Sequence, residues 1–398
     1  MAGAGRAAEK RTSIRGALLL LGWLWVALSV LYAVGSVFRG LVGAASTDFV
    51  GSQLSGHLLG QSCMYCPQTQ YRAELSMLGK PSPAGMVPFV DPPPVAYFMR
   101  PFAQLSLTTG LLVFDALSVG AMIVSAILLY RLLRPEGRRS QAVLLSAGAA
   151  FLLPGSLSLA YGNWDGLCLL VVTVAAALLS RRADASAGLV LSLALVKPQL
   201  VWLVVPALVI AQRWRFVAGF AVGAAAWLVA TLAMVGFDGV RRWVSLVDAE
   251  DATELPKTAG LPTFTPGAVR LGYVTAVVLA LLAVWALWRF RHVLRAQPVA
   301  ALGAGVTASL LCAPHLFEQD FLLLAVPITV WASTAPRTAL RVIVAIGVAS
   351  LLDQALTAPP AHAATLVVLG ATLVAVSRTW HAEPRDRHPN LTAAIVGQ

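Results

Sequence analysis

The sequence predicts an all-α, polytopic integral membrane protein with about 11–12 membrane helices, one broken hairpin among them, and long loops on the outer side. Three observations carry this. Of 398 residues, 58% are hydrophobic and 12% charged, against roughly 45–50% and about 25% in a soluble domain. Apolar runs long enough to span a bilayer recur from residue 17 to residue 378. The basic residues fall in short clusters between those runs, and placing all the clusters in the cytoplasm leaves one consistent topology with both termini inside.

Each element follows in order from hydropathy and loop charge. Residues 1–16, with Arg6, Lys10, Arg11 and Arg15, read as a cytoplasmic tail before a first crossing over 17–38. "VGAAS" at 42–46 resembles a signal-peptide cleavage site, but the preceding run is longer than a usual signal core. Residues 39–107 form a long outer loop, and crossings over 108–130, 141–160 and 163–180 are separated by Arg131, Arg134, Arg138 and Arg139 and by the turn "YGNWDG". After Arg181 and Arg182 come 186–197 and 198–211. Each rises only about 18–21 Å, too little for about 30 Å of hydrocarbon, so the pair reads as a broken hairpin that enters and leaves on the cytoplasmic side. Crossings over 216–235, 271–288, 298–313, 320–334, 340–356 and 363–378 follow, with a second outer loop at 236–270. Residues 17–378 thus make one domain, and 379–398 a cytoplasmic tail.

The net charge of +11 has a topological explanation, so no nucleic-acid partner is needed. The acids sort the other way. Only Glu9, Glu136, Asp184, Glu383 and Asp386 fall inside. Cys63 and Cys66, "CMYC" in the first outer loop, fit a structural disulfide in an oxidising compartment, with idle thiols or redox and metal chemistry as the other readings. Cys168 and Cys312 read as small core residues. In the first loop, Pro92 to Pro94 disfavour a helix and predict an extended stretch before an apolar run.

Four turns gather the remaining polar residues at outer helix ends: Asp48 in "ASTDFVG", Asn163 and Asp165 in "YGNWDG", Lys197 before Pro198, and His315, Glu318 and Asp320 in "LCAPHLFEQD". An intramembrane lysine is costly, roughly 2.5–3.5 kcal/mol at a helix centre, so Lys197 needs an anion, an ion-pair partner or a route to the interface. Asp48 is equally placed to cap the next helix, Asp320 to start the helix after it, and His315 to be a satisfied turn histidine. Turn chemistry explains Asn163 and Asp165, and Glu318 reads equally as a wet turn residue. The chain holds no G-x-S-x-G elbow, no H-E-x-x-H pair and no phosphate loop.

The order of "STDFVGSQL", "FVDPPPVAYFMRPF", "YGNWDGL", "LVKPQLVWLVVP" and "APHLFEQDFLLL", over about residues 45–335, resembles the polyprenyl-phosphate-sugar-dependent glycosyltransferases of family 87, membrane enzymes of the GT-C class. The resemblance is nearest to mannosyltransferases that extend phosphatidylinositol mannosides. It implies transfer of mannose, or arabinofuranose in some members, from a polyprenyl monophosphate to a cell-envelope glycolipid or glycan outside the cytoplasmic membrane. It places the family's outer-loop acid at Asp48, its Lys-Pro at Lys197 and Pro198, and its Pro-His turn at His315. The chain departs from it at Asp91, where an aromatic usually precedes the prolines, and at "YGNWD".

On this reading Asp48 is the general base, and His315 a phosphate ligand or alternate base. Lys197 and, more weakly, Arg270 meet the departing phosphate. Asn163, Asp165, Glu318 and Asp320 line the substrate site, and neither a metal nor a cofactor is called for. The rival reading is a transporter or flippase of lipid-linked sugars, for which two matching halves with corresponding broken segments are expected and only one is found. A non-catalytic membrane scaffold is the remaining one.

Overall fold

The computed structural model describes residues 34–61, 63–82, 85–132, 153–254, 269–313 and 315–334, together with positions 27 and 31. Among these residues all regular structure is helical, with no strand. The expected crossings over 340–356 and 363–378, most of those over 17–38 and 141–160, and both tails lie outside the described residues.

Helix α1 (Phe49–Leu58), α2 (Pro67–Leu78) and α3 (Val95–Met99) lie in the first long segment, whose aromatic and aliphatic residues fold it. Its core is aromatic: Phe49 lies 6.2 Å from Phe102, and 5.4 Å from Phe114 of α4 (Leu107–Leu132). Two buried amides tie its irregular backbone down, as unpaired buried carbonyls require. Gln53 donates to the Phe102 and Leu105 carbonyls at 2.7 and 3.1 Å, and Gln70 donates to those of Met64 and Phe89 at 3.0 and 3.1 Å. Cys63 and Cys66 are disulfide-bonded just ahead of α2. The prolines do not make the extended stretch expected of them. Their carbonyls accept the amides of Val95, Ala96 and Tyr97, so Pro92 to Pro94 form the turn that opens α3, a place that needs no proline N–H.

α4 is 26 residues long, about 39 Å, enough to cross a membrane. Its buried stripe, Leu111, Asp115, Ser118, Met122, Ser125 and Leu129, recurs every three or four residues and packs on α6 (Asp165–Ser180), which follows α5 (Leu153–Tyr161). Leu112, Val113, Leu117, Ile123, Val124 and Ile127 are exposed on its other side, an unfavourable surface in water and an ordinary one in lipid.

The broken hairpin is present. α7 (Asp184–Leu191) tightens into a 3-10 turn over Ser192–Val196, and Lys197 leaves helical geometry at φ −128°, ψ 74°. Pro198 explains this: it lacks an N–H and disfavours helical ψ in the residue before it. A turn over Pro198–Leu200 leads to α8 (Val204–Ile210). The two ends of the hairpin meet, with Arg213 3.6 Å from Asp184.

α9 (Trp214–Glu254) runs 41 residues with one kink, at Gly236, whose φ of 64° suits glycine. The expected crossing ends there, but residues 237–254 continue as helix instead of forming the expected loop. Past the kink, Trp243 donates to the Val90 carbonyl at 2.7 Å and closes over the first segment. α10 (Val269–Arg289), α11 (Arg291–Ala296), α12 (Pro298–Cys312), a 3-10 segment over Glu318–Leu324, and α13 (Ala325–Thr334) complete the described chain.

Candidate active site

The turn between α5 and α6 brings the polar residues together. Gly162 takes φ +64°, and a Cβ there would come within 2.5 Å of Leu111 and 2.7 Å of Phe49, so the turn is seated against both. The three residues after it each reach a different partner. Asn163 donates its amide to the Asp48 carboxylate at 2.9 Å, while its own carbonyl accepts the Trp164 N–H at 2.7 Å. The Trp164 indole donates to Ser52 and to Asp91, both at 3.2 Å. Asp165 accepts from the Lys197 ammonium at 2.8 Å.

Asp48 stands at the N-cap position of α1 but makes no capping hydrogen bond through its side chain. Its carboxylate is exposed, although Thr47, Phe49 and Val50 around it are buried. An exposed ionisable group held by a neutral amide can meet an incoming hydroxyl.

Lys197 lies between two carboxylates, Asp165 and Asp320, each 2.8 Å away. The lysine side chain is 11% exposed and the acids 0% and 1%, so the lysine does not reach out to an interface. Ion pairing offsets the burial of all three groups. Two of its three N–H donors are taken, which leaves one for a ligand. Asp320 also starts the 3-10 segment, its other oxygen accepting the Phe317 N–H at 2.7 Å.

Glu318 opens that 3-10 segment and is half-buried. His315 is half-buried too, its ring edge-on to Phe317 at 4.8 Å. Pro314 lies outside the described residues, and so does the side chain of Arg270 at the start of α10.

Trp164, Ser52 and Asp91 join the site without having been singled out for it. The departure of Asp91 from the family pattern is the one signal that pointed there. Asp91 lies outside the candidate membrane spans. Burial raises its carboxyl to about 6; the nearby Asp48 charge pushes the same way, while Lys197, the Trp164 indole and the Ser52 hydroxyl pull it down. Tyr65, which donates to the Asp91 backbone carbonyl at 2.7 Å, is also held protonated, by burial first and by the Asp91 charge second.

Among the described residues, an all-helical fold with long apolar helices, and a turn that holds an exposed carboxylate through Asn163 and a buried ion pair through Asp165, has the architecture of a membrane enzyme. The model of glycosyltransferase family 87 matches residues 89–314. The chain belongs to that family, and is accordingly a membrane glycosyltransferase that takes a sugar donor and an acceptor. No curated protein and no solved structure matches it significantly.

Proposed function

We propose that the chain moves mannose from a polyprenyl monophosphate to a phosphatidylinositol-mannoside-like glycolipid, or to a glycan, of the cell envelope. Transfer takes place on the outer face of the cytoplasmic membrane, in a multi-pass catalytic domain spanning residues 17–378. The hydrogen bond from Asn163 to the exposed Asp48 carboxylate supports this reading most directly. The acceptor oxygen attacks C1 of the sugar, the bond from C1 to the phosphate oxygen breaks with inversion, and Asp48 takes the hydroxyl proton.

Negative charge develops on the departing phosphate, where cationic donors lower the barrier. Lys197 offers its remaining N–H, His315 a ring donor or an alternate base, and Arg270 a further cation. Asn163, Asp165, Glu318 and Asp320 shape the site around them.

Purified protein in liposomes, given polyprenyl-phosphate mannose and polyprenyl-phosphate arabinose side by side with cell-envelope acceptors, tests this. Mannose transfer that disappears in Asp48→Ala supports it. Movement of donor across the bilayer without transfer sinks it in favour of a flippase, and transfer from the arabinose donor alone sinks the choice of mannose.

A further inference from the structure

Asp91 has no part in the steps above, yet it is tied to the residues that have. Its carboxylate accepts the Trp164 indole N–H at 3.2 Å and lies 3.5 Å from the Ser52 hydroxyl. Trp164 follows Asn163, whose amide holds Asp48. The backbone on either side is fixed as well, by Tyr65 on the Asp91 carbonyl and Trp243 on that of Val90, both at 2.7 Å. The charged and titratable groups that act on Asp91 come from four elements: Asp48 at the head of α1, Lys197 at the break of the hairpin, Tyr65 beside the disulfide, and Cys168 of α6. Asp48 and Asp91 are thus held by adjacent residues of one turn.

We infer that Asp91 is a positioning residue for the proposed transfer: its negative charge makes Asp48 a stronger base, and its oxygen locks the Trp164 indole so that the Asn163 amide stays on Asp48. The inference rests on the reading of Asp48 as the base. A second carboxylate nearby disfavours the charged form of the first and so favours the state in which Asp48 has taken the acceptor proton. No bond to Asp91 forms or breaks.

The test is the pH profile of kcat/KM for mannose transfer from polyprenyl-phosphate mannose to a phosphatidylinositol mannoside, with the whole protein in liposomes. Asp91→Asn keeps an acceptor for Trp164 and removes the charge. Its acid limb is expected to move down by roughly 0.5–1 pH unit, and its rate at pH 7.5 to fall about 3- to 30-fold as the base weakens. Trp164→Phe removes the indole donor, favours protonated Asp91 and so moves the limb down as well, by less. This graded movement in one direction is a signature that a merely structural role would not produce.

A limb that stays put in both variants overturns the inference, whether or not the rate falls; if Asp91→Asn fails to fold, Trp164→Phe alone decides. Full transfer in Asp48→Ala removes the reading of Asp48 as base. Transfer lost in Asp48→Ala, together with unmoved limbs, removes only the role of Asp91.

Discussion

Asp48 and Asp165 are the same side chain served by one turn, and their surroundings separate them. Asp48 is exposed and braced by the neutral amide of Asn163, whereas Asp165, two residues further along that turn, is wholly buried on the ammonium of Lys197. An exposed carboxylate next to a neutral donor keeps room to take up a proton. A buried one on a cation is committed to its partner, because separating them leaves a charge in low dielectric. The outer cluster is thus suited to chemistry and the inner one to holding the turn that delivers it.

The largest effect is expected at the inner cluster. Lys197→Met leaves Asp165 and Asp320 buried without their cation, which costs about 3–5 kcal/mol. A fall in melting temperature of roughly 10 °C in detergent should accompany loss of transfer. Adding Asp165→Asn and Asp320→Asn to that variant should recover part of the stability by removing the stranded charges. A single variant that melts like the wild type would break the comparison outright.

Asp48→Asn should do the reverse. The new amide keeps the shape and a hydrogen-bonding atom for Asn163, so stability stays within about 0.5 kcal/mol. Transfer falls by roughly 10²–10⁴, the usual contribution of a general base. Lower stability with transfer untouched would swap the roles assigned to the two carboxylates.

Gly162→Ala strikes both clusters through the turn they share. Its positive φ and the 2.5 Å approach to Leu111 together make a cost of about 1–3 kcal/mol. Melting temperature and transfer should decline together, and a decline in one alone would show that the clusters are set independently.

Much of this was legible in the sequence, because hydropathy and proline act locally. The all-helical class, the apolar spans and the break at Lys197–Pro198 come from such short-range rules. That the four turns share polar residues was legible as well, but not which residue pairs with which. Asn163 finds Asp48 across 115 positions, and Lys197 finds Asp320 across 123; no local pattern encodes such pairs. The helix beyond Gly236 escaped notice for a different reason. Residues 236–270 read as a loop by their length and polarity, while the charges of "VDAEDATE" read as a solvated face, which an exposed helix supplies equally well.

The smallest effect concerns Asp91, which interacts with both Asp48 and Lys197 and so joins the two clusters. Its carboxyl is raised from an ordinary 3.8 to about 6, so in that interval the folded chain holds a proton that the unfolded chain has released. The stability it contributes is fully present below pH 3.8 and is lost as pH rises through about 6. Other carboxylates titrate over the same range, so the informative quantity is the melting temperature of the wild type minus that of Asp91→Asn. The difference should fall by ~1–3 °C between pH 4 and pH 6.5, a small change because Asp91 is partly solvated. A flat or rising difference would mean that Asp91 is as well hydrated as Asp48 and belongs to the outer cluster alone. The expected fall would place it on the boundary, where a half-buried charge still influences the exposed base.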